Sequence, residues 1–148
     1  RVTGEQAHRY DWAMHVVGAP EVRAAAPCDL GQRHGYRHLR NARTVEATAI
    51  RWPHCTAYLA LPPDAEVMLA DDPNERHQRY GAAAPVEGHT ALIVRAQGQD
   101  ALFVSVWQMG QRETLALSVT GDARSDVAVQ VDARRWVVPV GAEAVTAG

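Results

Sequence analysis

Within the run His8 to Val17, Arg9, Asp11 and His15 are the residues whose types and spacing could do chemistry. If the run is extended, their spacing puts all three on one face, because successive side chains of a strand alternate. A guanidinium, a carboxylate and an imidazole in a row could line a groove for a polar ligand. Tyr10 and Trp12 add aromatic rings beside them. Rings next to acids and arginines suit sugars, which offer an apolar face for stacking and hydroxyls for hydrogen bonds. The plainer alternative is that Tyr10 and Trp12 are core residues and that Asp11 only pairs with Arg9 or a nearby backbone group. Arg9, Asp11 and His15 are therefore the candidate substrate-binding residues, and none is assigned a catalytic role.

Other constellations carry less. His34 and His38 have metal-ligand spacing for a helix, but Gly31, Gln32, Arg33, His34, Gly35 and Tyr36 make a poor helix, so no metal site is expected. His54 and Cys55 are neighbours and would point to opposite faces of a strand. His77 and His89 read as solvated loop residues. Asp71 and Asp72 precede Pro73 and Asn74, a context that favours a turn or cap over a glycosidase pair. Ser105 and Ser118 have no base nearby in sequence. Nucleophile-elbow, phosphate-loop, zinc-protease and dinucleotide patterns are missing from the sequence, and no cofactor is expected. Cys28 and Cys55 are the two cysteines; one bridge between them is conceivable in an oxidising compartment.

The elements that would position these residues read as strands. Tyr10, Trp12, Met14 and Val16 alternate with Arg9, Asp11, Ala13 and His15, which predicts a half-buried strand. Further strands are expected at Val45 to Trp52, Thr56 to Leu61 and Glu66 to Leu69, punctuated by Pro53, Pro62 and Pro63. Thr90 to Val94 and Leu102 to Trp107 flank Gln97, Gly98 and Gln99, the pattern of a hairpin. Thr114 to Thr120 and the valines 127, 129 and 131 continue a meander through Asp132 and Ala133 to Trp136 and Val140. Trp12 and Trp107 are the expected core anchors. A helix over Leu39 to Ile50 is the competing reading there, weakened by Asn41, Thr44, Val45 and Thr48. Pro73 through Pro85 reads as a long polar loop. The expected fold class is all-β, an antiparallel β-sandwich over residues 1–141 with a frayed tail at 142–148. Arg1 and Val2 run directly into structured sequence, so the chain reads as part of a larger sandwich cut from a longer protein.

Composition narrows the partners. With 47% hydrophobic and 22% charged residues, the chain can build a core and is not of disordered type. A net charge of −2 gives no field to attract nucleic acid or an anionic membrane, and no run approaches the roughly 18 apolar residues of a membrane span. All 15 basic residues other than histidine are arginine. Codon bias in an alanine-rich chain accounts for that; the fit of guanidinium to carboxylate and sulfate is the second reading.

Arg1-Val2-Thr3-Gly4 followed by His8-Arg9-Tyr10-Asp11-Trp12 and His15 resembles the C-terminal sheet region of heparinase II/III-like and related alginate lyases. Gly35 to Leu39, Asp71 to Pro73, Leu92 to Arg95 and Phe103 to Val106 look similar to later elements of that region. The resemblance implies a helical toroid packed on an antiparallel sandwich, with an acidic, uronate-containing polysaccharide cleaved by β-elimination between them. It also implies a periplasmic or extracellular location, and an N-terminal remainder of the parent protein as a partner. Catalytic groups of that family lie mostly outside the matched region, so this chain is expected to be structural or cleft-supporting and inactive alone. A non-catalytic carbohydrate-binding or interaction sandwich is the alternative.

Overall fold

The computed structural model describes residues 1–22, 25–31, 34–73, 88–110 and 114–139. These hold eleven strands, one short 3-10 turn at His34–Tyr36 and no α-helix. In chain order the strands are β1 (Val2–Val17), β2 (Ala25–Pro27), β3 (Arg40–Val45), β4 (Ala49–Arg51), β5 (Cys55–Ala60) and β6 (Glu66–Asp72). They continue with β7 (His89–Ala101), β8 (Val104–Met109), β9 (Leu117–Thr120), β10 (Val127–Val131) and β11 (Arg134–Val138). Three sheets result, ordered β1-β7-β6-β3-β2, β4-β5-β8 and β11-β10-β9. Every strand pair is antiparallel, so the protein is all-β and sandwich-like.

The five-stranded sheet is covered on both faces, and the sequence of its central strand follows from that. Residues 90–96 of β7 are all buried, as expected for a strand without a solvent face. Leu92 and Val94 join Val67, Leu69 and Val45 against Ile50, Trp52, Cys55, Ala57 and Leu59 of the β4-β5-β8 side. Ala91 and Ile93 face the other way, with Met68 and Ala70, under Leu30, Cys28, Tyr36 and Leu39. Residues 28–31 and 34–39 thus roof the second face, the face that carries Asp11 and His15.

Three expectations change. No hairpin forms at Gln97 to Gln99; β7 runs straight through to Ala101, and β8 pairs with β5 in the opposing sheet. The reason is β1, which is long enough to pair along the whole of β7, with its register shifting between Thr3 and His8. Gly98 lies opposite His8 at a φ of 154°, a conformation open to glycine, and takes up the irregularity. The expected strand Val45 to Trp52 is split, because Glu46 to Thr48 carry the chain from β3 in one sheet to β4 in the other. The competing helix does not form. Finally, Trp12 and Trp107 are only partly buried against the core, whereas Trp52 is 1% exposed. Trp52 lies inside the cluster between the two sheets, whereas Trp12 and Trp107, on the edge strands β1 and β8, pack against its rim.

Cys28 and Cys55 are free thiols in clusters on opposite faces of the large sheet, so no bridge joins them. Burial pushes both thiols above their ordinary value. The third sheet is tied on by Arg124, which donates Nε to Asp100 Oδ2 at 2.6 Å and Nη2 to Asp100 Oδ1 at 2.9 Å. The tail 142–148 and most of the expected loop after Pro73, including His77, lie outside the described residues.

Candidate functional site

Asp11 organises the roofed face. It stands directly opposite Arg95 of β7, which grips it with Nε to Oδ1 at 2.8 Å and Nη2 to Oδ2 at 3.0 Å. The Tyr36 hydroxyl donates to Oδ2 at 2.9 Å, and Arg95 Nη2 also reaches the Leu30 carbonyl at 3.2 Å. Side-chain exposure is 4% for Asp11 and 8% for Arg95, so the pair is buried. The hydrogen bond to Asp11 drives the Arg95 pKa up, against the pull of burial. Both carboxylate oxygens of Asp11 are engaged, so what it does here is hold Arg95 and Tyr36 in place.

His15 lies four residues on, at the other end of the face. Its strand neighbour is Ala91, and the next strand presents Ala70. These small residues leave room for the imidazole to lie across β7 toward β6, where Nδ1 is 2.9 Å from Asp72 Oδ2. His38 Nε2 is 3.8 Å from the same oxygen, and the two imidazole rings stack 10° from parallel with centroids 6.4 Å apart. With Asp72 as the acceptor, the Nδ1 of His15 carries the hydrogen, and in the neutral imidazole the lone pair is on Nε2. His15 is 48% exposed, so that nitrogen can meet solvent or a substrate. A carboxylate holding an imidazole in this way has the geometry that general-base pairs use to orient the ring.

Arg9 is exposed and reaches the roof, where a Cβ on Gly31 would lie 3.9 Å from its Nη2. It has no carboxylate partner among the described residues. Beside it an open groove of about 560 Å³ is lined by Asp29, Tyr36, Arg37 and Arg40, among others. Arg9 and His15 are six residues apart on one strand, which separates them by about 20 Å. That distance is too great for one sugar ring and matches a stretch of several. Tyr10 points away from the other three, and its hydroxyl donates to the Gln99 carbonyl at 2.9 Å.

Sequence reasoning thus placed Arg9, Asp11 and His15 on one face but missed the partners: Tyr36, His38, Asp72 and Arg95. Asp71 and Asp72 end a strand instead of forming a turn, and Asp71 accepts from Asn41 Nδ2 at 2.8 Å and Arg43 Nη1 at 3.1 Å. The extra signal was period-two spacing: Ala70 and Asp72, like Ala91 and Ile93, continue apolar runs whose ends carry the polar groups. His89 opens β7 half-buried, paired with Asp72 in register, and so is not a free loop residue. Among the described residues no three His, Cys, Asp or Glu side chains gather closely enough to hold a metal ion.

Comparison with models of known families, with curated proteins and with solved structures finds no match to this chain. A functional reading therefore stands on the side chains themselves.

Proposed function

We propose that this chain is the C-terminal sheet domain of a polysaccharide lyase of the heparinase II/III-like or alginate lyase kind. Its roofed face would form one wall of a cleft for an acidic, uronate-containing polysaccharide. What supports the reading most is the half-exposed His15, oriented by Asp72 so that its free nitrogen points away from the carboxylate. Elimination from a uronate removes the C5 proton, forms the C4–C5 double bond and expels the C4 oxygen with the bonding electrons, which an acid then protonates. It needs a base, a cation for the carboxylate and an acid around one ring, and misplacement by about 1 Å costs roughly a hundredfold.

On this wall the base and the nearest unpaired cation of the same strand, His15 and Arg9, are about 20 Å apart. The wall therefore positions a polymer, and the remaining groups come from the N-terminal remainder of the parent protein. The periplasmic or extracellular location belongs to the same proposal.

The test is calorimetric titration of the chain with alginate, heparin and heparan sulfate, with absorbance of the unsaturated uronate followed in parallel. Binding without turnover is expected, weakened when Arg9→Ala and His15→Ala are combined. If none of the polymers binds, or if the double variant binds as the parent does, the reading fails. Turnover by the chain alone that is lost in His15→Ala would instead place a complete site here.

A further inference from the structure

A second groove, of about 540 Å³, lies away from the His15 face, between β8 and the β10–β11 hairpin. Its size is in the roughly 300–1,000 Å³ range of small-molecule sites. Trp107, Met109, Leu115 and Trp136 supply an apolar lining, and Arg134 and Asp132 stand at its polar parts. Trp136 is 49% exposed and Met109 68% exposed, large apolar surfaces to leave in water on one small feature.

The two indoles are held differently. Trp107 is wedged between groove and core: its ring packs on the buried Trp52 at a centroid distance of 6.0 Å, and its Nε1 donates to Ser105 Oγ at 3.1 Å. It is a preset platform whose orientation a ligand need not fix. Trp136 stands on the edge strand β11, directly opposite Val129, and shares its face with Arg134, which is opposite Val131. The tight turn at Asp132, where φ is 50°, aims that face across the groove at β8.

Charge decides the occupant. Asp132 keeps its charge, but its Oδ1 accepts from the Ala116 amide at 2.9 Å, a bond that ties the β10–β11 turn to the residue preceding β9. Arg134 has no carboxylate partner among the described residues and sits beside an exposed ring. An aromatic platform with an uncommitted guanidinium matches a ring that has an apolar face and an anionic substituent. Arg134 and Arg135 also charge the β11 edge, which opposes pairing with a second copy.

We propose that the Trp107–Trp136 groove is a binding site for an acidic glycan, stacking a uronate ring on Trp136 and holding its carboxylate at Arg134. The site rests on the same acidic-polysaccharide reading as the His15 face but lies outside the cleft wall. It would tether the polymer to the domain without taking part in bond cleavage.

Nuclear magnetic resonance of the chain titrated with an oligomannuronate tests both faces at once. The expected result is a saturable shift of the Trp136 indole N–H, with affinity reduced about tenfold, or 1.4 kcal/mol, in Trp136→Ala and in Arg134→Gln. Trp136 and Arg134 are exposed, so both variants should keep the parent's dispersed spectrum. A neutral cello-oligosaccharide should shift the same signal only weakly. Shifts confined to the His15 ring would overturn the groove and leave the cleft wall standing. Shifts confined to Trp136 would do the reverse, and none at either place would sink both. An Arg134→Gln variant that binds like the parent, a Trp136 shift produced by protein concentration alone, or one produced only by a proline-rich peptide would each overturn the proposal.

Discussion

Replacing Asp11 with asparagine should be among the most damaging single changes that preserve side-chain shape. Arg95 is 8% exposed, and the change leaves its guanidinium buried without its hydrogen-bonded anion, with the cross-strand Glu66 acting on it only through space and the Leu30 carbonyl still accepting from it. The charge has no escape, because an arginine stays protonated at any pH the fold survives. Removing one partner of a buried pair costs about 3–5 kcal/mol, out of a total stability of roughly 5–15 kcal/mol for a domain. With a urea slope near 2 kcal/mol/M, the unfolding midpoint should fall by about 1.5–2.5 M. Urea unfolding followed by tryptophan fluorescence reads this directly. Substituting both partners, Asp11→Leu with Arg95→Met, removes the stranded charge and should recover most of the loss. A single variant whose midpoint stays with the parent's would refute the argument, as would a double variant no better than the single.

The tryptophans make a second comparison: Trp52→Ala should cost about 3–5 kcal/mol as a fully buried ring, and Trp107→Ala distinctly less, as read from urea midpoints. Equal losses would contradict the burial order. A third expectation concerns acid. The hydrogen bond from Arg124 holds the Asp100 carboxyl below its ordinary value, against a smaller desolvation effect. A lowered folded-state value means that the clasp contributes above the unfolded carboxylate value, about 3.9, and is lost as pH falls through the folded one. Carbon-13 titration of the Asp100 carboxyl should give a midpoint under about 3.9 that rises in Arg124→Gln; an unshifted midpoint in the parent would show that the clasp is not formed in solution.

The strand content was legible because alternation is a local property. Arg9, Asp11 and His15 could be put on one face from spacing alone, and Val127 to Val131 followed by Arg134 to Val138 could be read as neighbours from the short Asp132-Ala133 link. What spacing cannot say is which strand lies alongside. The run Gln97-Gly98-Gln99 has turn residues, yet it stays extended because β1, 89 positions earlier at Tyr10 and Gln99, supplies the partner. Trp52 looked like the end of a strand beside Pro53, and its burial comes from the packing of two sheets that no window of sequence contains. The same holds for Asp72 and His38, which become relevant to His15 only when β6 and the roof segment are placed against β1.

The buried Asp11–Arg95 pair links fold and site. As a source of stability such a pair is weak, because the cost of desolvating two charges roughly cancels their attraction and an apolar pair of similar size does as well. Its value lies in what it holds. Through Tyr36 and the Leu30 carbonyl, the pair pins the roof to the second face of the large sheet near the middle of β1. The roof carries Arg37 and His38, and Arg9 reaches it from below, so the pin fixes the distance between these side chains and His15 on the sheet. A polymer lying along β1 would then meet Arg9 first, pass over the roofed centre and reach His15 with its ring already oriented by Asp72. Under the proposed polysaccharide reading, Asp11 would contribute to recognition without touching the ligand. The apolar double variant offers the separation: it should restore stability while leaving Tyr36 and Leu30 without their partners, so polymer binding should remain weak after the fold has recovered.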